Sequence, residues 1–247
     1  MPYCRYILLQ VAEYDFILLL LQIIWNLIVM AAKIKSILVL IGVFLIYWFG
    51  MSFTTGFLYN VFSSSVLSVF AAQLIFSFPF LYVMFRKSKI ALIGEETVKE
   101  KICPWWVLLG LGLTIALIAR IYYHLFSPYS AGSENITYHG LEGICMFMSN
   151  VLMYPIIEEL FYRKWMITYL ERKDVKPIYI FLITLFLFFI IHTNTQYMYF
   201  RFDTLLSGAI LYYIYTRYRN IKYCISVHII CNMVVNLISI ANQHMLL

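Results

Sequence analysis

Residues 36–85 read SILVLIGVFLIYWFGMSFTTGFLYNVFSSSVLSVFAAQLIFSFPFLYVMF, fifty residues between Lys35 and Arg86 without a charge. As one helix rising ~1.5 Å per residue they would extend ~75 Å, while a bilayer core is ~30 Å thick. Two spans joined by a short turn satisfy both lengths. Asn60 and Ser63-Ser64-Ser65 offer the turn chemistry.

Working outward, the same apolar character covers the chain. Of 247 residues, 63% are hydrophobic and 12% charged, against roughly 25% charged in soluble domains. Eight spans are predicted at 16–32, 36–59, 62–85, 103–127, 141–163, 177–198, 203–217 and 221–242, so the expected class is an all-α polytopic transmembrane helix bundle forming a single domain over 1–247. The first reads as an anchor, not a cleaved leader.

The net charge of +6 would suit nucleic acid in a soluble protein. Here its distribution excludes that class. Fourteen of the eighteen basic residues, from Lys33 and Lys35 to Arg217, Arg219 and Lys222, fall in or at the edges of the loops after the first, third, fifth and seventh spans. The positive-inside rule then puts those loops in the cytoplasm. The five cysteines (Cys4, Cys103, Cys145, Cys224, Cys231) form no CxxC pair and read as small apolar residues of membrane helices.

Against this background, a few ionisable residues stand out. A charged side chain at mid-membrane costs about 2.5–3.5 kcal/mol and usually faces an internal cavity. The fifth span carries Pro155-Ile156-Ile157-Glu158-Glu159-Leu160-Phe161-Tyr162-Arg163. Adjacent glutamates point about 100° apart on a helix. Glu159 and Arg163 lie one turn apart and can pair, which leaves Glu158 as the unpaired carboxylate. Pro155 frees a backbone carbonyl upstream. The sixth span holds Phe188 and His192, and the eighth holds His228 and Asn232 one turn apart. Buried polar groups need partners; one shared polar cavity inside the membrane supplies them. Arg201 and Asp203 read as interfacial charges, with lining of its mouth the alternative for either.

Glu-Glu-x-x-x-Arg (Glu158, Glu159, Arg163), Phe-x-x-x-His (Phe188, His192) and His-x-x-x-Asn (His228, Asn232), in that order, resemble the three-motif signature of the CPBP family. It includes the type II CAAX prenyl endopeptidases and bacteriocin-processing and self-immunity proteins. The resemblance lies within a core at 141–242. It implies an intramembrane endopeptidase in which Glu158 and His192 activate a water, His228 and Asn232 form an oxyanion hole, and Glu159, Arg163 and Phe188 support them. No cofactor is implied by this route. Glu158, His192 and His228 also form a possible zinc set, although the chain has no HExxH pair and the Asn232 carboxamide suits hydrogen bonding better than zinc. The implied partners are the lipid bilayer and a peptide or membrane-anchored protein substrate, and the implied location is a bacterial cytoplasmic membrane. The alternative is a non-catalytic membrane immunity or regulatory partner on the same scaffold.

Overall fold

The computed structural model describes residues 2–91, 102–126, 140–192 and 202–244, with side chains described mainly from Ala31 onward. Every regular element among these residues is a helix: α1 (Pro2–Phe62), α2 (Ser65–Ser88), α3 (Trp105–Phe126), α4 (Gly140–Glu171), α5 (Pro177–His192), α6 (Phe202–Tyr218) and α7 (Ile221–His244). The all-helical class holds.

The break inside the uncharged fifty residues falls at Ser63 and Ser64. Ser63 is left-handed (φ 53°), and the Ser64 hydroxyl accepts from the Leu67 amide to cap α2. The turn expected there from the serine cluster is present. A second expected break, at Lys33 to Lys35, is not. α1 runs through it, and the Ser36 hydroxyl bonds back to the Ala32 carbonyl within the helix. Lysine is a good helix former, so the charges there do not end the helix.

Five helical stretches are long and apolar enough to cross a bilayer: Ala31–Phe62, Ser65–Ser88, Trp105–Tyr122, Gly140–Glu171 and Ile221–Ile240. The apolar Pro177–His192 has 16 residues and is shorter. The described residues therefore give five such helices where the sequence suggests eight. The expected first span, 16–32, falls mostly on residues whose side chains are outside the described set, as do residues 193–198 of the sixth.

α4 is the central helix. Its Phe161, Tyr162, Trp165, Met166, Ile167 and Leu170 are buried, while α1 turns Phe49, Phe53 and Phe57 outward. An outward aromatic face is stable when lipid is the solvent. The fifth span was expected to end at Arg163, with Lys164 in the following loop. Both are instead buried mid-helix, at 3% and 4% exposure, and α4 continues to Glu171. Close helix approaches rely on small residues. A Cβ on Gly112 of α3 would lie 2.6 Å from Ile230 of α7, and one on Gly208 of α6 would lie 2.9 Å from Leu185 of α5.

Candidate active site

The extra length of α4 sets the depth of the site. Glu158 lies 13 residues before Glu171, and His192 lies 15 residues after Pro177, so at ~1.5 Å per residue each is about 20 Å from the α4–α5 turn. A carboxylate and an imidazole from antiparallel neighbours thus reach one level.

Glu158 Oε2 lies 3.8 Å from His192 Nε2 and 3.9 Å from His228 Nε2. That oxygen is buried and has no hydrogen-bond partner among the described residues. Both separations exceed a direct hydrogen bond and fit groups that share a water.

The other ring nitrogens fix the tautomers. His192 Nδ1 lies 2.7 Å from the Phe188 carbonyl. A carbonyl only accepts, so Nδ1 carries the hydrogen, and in the neutral ring Nε2 turns a lone pair toward Glu158. His228 Nδ1 lies 2.8 Å from Glu159 Oε1, which also only accepts.

Glu159 is fully buried, and its Oε1 meets Arg163 Nη1 at 3.2 Å, one helical turn away. The distance is that of an ion pair, but the N–H is not aligned for a hydrogen bond. Arg163 Nη2 donates to the Gly208 carbonyl (3.4 Å), and the guanidinium lies 4.2 Å from the Phe188 ring centre. The pairing read from the sequence is present. The His228 contact with the same oxygen was not foreseen.

Asn232 is held by a backbone feature. Residues Ser149–Met153 form a widened π turn, in which the Tyr154 amide bonds the Ser149 carbonyl. The next amide in that register belongs to position 155, and Pro155 has none. The Asn150 carbonyl is therefore left to another donor, and Asn232 Nδ2 takes it at 2.8 Å. The sequence signal was Pro155; the turn that converts it into a hold on Asn232 was not readable.

These groups line a cavity of about 680 Å3. Its polar end carries Glu158, His192, His228, Asn232 and Asp203, and α1 contributes Tyr47, Trp48 and Met51 to its wall. Asp203 was expected at the interface, with the mouth as the alternative; Arg201 is outside the described residues. The α1 wall was missed, because nothing in a uniformly apolar helix marks the face that turns inward. Among the described residues, no group of three or more His, Cys, Asp or Glu side chains has the spacing of a metal site.

Comparison with known families bears on this region. Residues 140–234 match the family model described as Type II CAAX prenyl endopeptidase Rce1-like. This stretch is similar to the Rce1-like family. It begins at the first residue of α4 and ends in α7, so it takes in every residue of the three motifs, consistent with the CPBP family. No curated protein and no solved structure matches the chain. The matched stretch lies in a chain with five helices long and apolar enough to cross a membrane.

Proposed function

We propose that the chain hydrolyses a peptide bond of a membrane-associated or peptide substrate, with Glu158 and His192 preparing the attacking water. The observation that carries this reading is the unpartnered Glu158 oxygen 3.8 Å from the lone-pair nitrogen of His192. Two acceptors at that spacing take both hydrogens of one water and turn its lone pairs toward a carbonyl carbon. The water oxygen attacks as its proton passes to Glu158. The tetrahedral oxyanion is met by His228 and Asn232. The C–N bond then breaks, and Glu158 returns the proton to the leaving amine.

For His228 to meet the oxyanion, its Nε2 must carry a hydrogen while Nδ1 donates to Glu159 behind the ring. Asn232 uses one amide hydrogen on Asn150 and keeps one for the oxyanion. Donors fixed before the reaction are often the largest catalytic contribution.

The test compares membrane peptidomes of cells carrying the wild-type chain or His192→Ala. Wild-type cells should show new peptide termini that the variant lacks, and a metal chelator added to purified protein should leave cleavage intact. Coinciding peptidomes would sink the reading. Self-immunity or processing of small secreted peptides in a bacterial membrane is the biological setting we propose.

A second prediction concerns Pro155→Ala. It restores an N–H that competes with Asn232 for the Asn150 carbonyl. A neutral hydrogen bond is worth about 1 kcal/mol, so kcat should fall about fivefold with KM little changed. Unchanged kcat in steady-state assays would refute the role of the turn.

A further inference from the structure

A second cavity, of about 490 Å3, lies between α1 and the end of α4 with its following turn. Lys33, Lys35, Arg172 and Lys173 line it, against one acid, Asp174: four positive charges less one negative leave +3. Among the described residues, no carboxylate pairs with Lys33, Lys35 or Lys173. Arg172 is fixed in place, because its Nη1 donates to the Ser88 and Lys89 carbonyls, each at 3.0 Å. These two contacts tie the cavity wall to the end of α2. Lys173 lies 6.0 Å from the Tyr169 ring, itself a lining residue.

The cavity lies where Lys33 and Lys35 interrupt the apolar sequence of α1. Val39 lines the cavity and is half exposed, and Ile34 and Leu38 beside it are also exposed. A cationic hollow opening directly onto an outward apolar face fits a molecule with an anionic head and hydrocarbon chains. Basic pockets between membrane helices bind phosphate headgroups by this arrangement.

We propose that this cavity binds the phosphate of an anionic glycerophospholipid, with its acyl chains running along Val39, Ile34 and Leu38. The shared chemistry is a phosphate among lysines and an arginine. The apolar rim favours lipid over a soluble phosphate. The bound headgroup bridges α1, the end of α2 and the α4–α5 turn.

The experiment uses the full chain in detergent micelles doped with phosphatidylglycerol or phosphatidylcholine, with lipid retention read by native mass spectrometry. The wild type should retain phosphatidylglycerol about tenfold better than phosphatidylcholine. Lys33→Gln/Lys35→Gln/Lys173→Gln, which leaves the Arg172 contacts intact, should lose that preference. A charge-matched control away from the cavity, Lys176→Gln/Arg217→Gln/Lys222→Gln, should keep it. Full retention by the first variant, or equal loss by the control, would overturn the proposal. So would displacement of the lipid by glycerol phosphate at equal concentration, which would mark a soluble ligand. No arm reads hydrolysis, so the result stands apart from the protease reading.

Discussion

Glu158→Gln is expected to lower peptide hydrolysis by about 10²–10⁴-fold, the usual range for a positioned general base. The change keeps shape and volume and removes only the capacity to take a proton. In its place stands an amide that can donate straight to the lone pair of His192 Nε2, closing the spacing that lets a water sit between them. Because Glu158 Oε2 has no hydrogen-bond partner among the described residues, little of the fold depends on its charge. The unfolding temperature in detergent should stay close to that of the wild type, and substrate binding should survive. Rates with a peptide substrate, measured beside thermal unfolding, separate the two effects. Turnover near the wild-type value would remove Glu158 from the reaction.

Arg163→Met is expected to act on stability first. The guanidinium is the ion-pair partner of a fully buried carboxylate, the donor to the Gly208 carbonyl and the cation over Phe188. Breaking a buried pair by removing one partner costs about 3–5 kcal/mol. The lower end applies here, about 3 kcal/mol, because His228 keeps its hold on Glu159 Oε1. Glu159→Gln/Arg163→Met should recover part of the loss, since no uncompensated charge is then left buried. Denaturant titration of both variants in micelles measures the difference. If the double variant is no more stable than the single one, the cost does not come from a stranded charge.

Much of the site was readable because ionisable residues are rare in this chain. Glu158, His192, His228 and Asn232 stand out of apolar helices, and the structure brings all four to one cavity. Helix limits were harder to read. Glycine, the usual mark of a helix end, is replaced at these turns by left-handed Ser63, Lys89, Asp174 and Arg219. The lysines at 33 and 35 suggested a boundary where α1 is continuous. Arg163 and Lys164 suggested one where α4 continues, because sequence alone cannot distinguish an interfacial charge from one buried among partners. The π turn at Ser149–Met153 has no sequence signature apart from Pro155, so the hold on Asn232 could not be seen in advance.

Phe188 is the one aromatic residue named in the motifs, and its ring touches both halves of the charge arrangement. It lies 4.4 Å from the His192 ring centre and edge-on to His228 at 6.5 Å. Its carbonyl fixes the His192 tautomer, and its ring carries the counterion of Glu159. The orientation of His192 and the counter-charge beside Glu159 are thus indexed to a single side chain. A slide or roll of α5 along its neighbours would detune both together, so neither can drift while the other stays in tune.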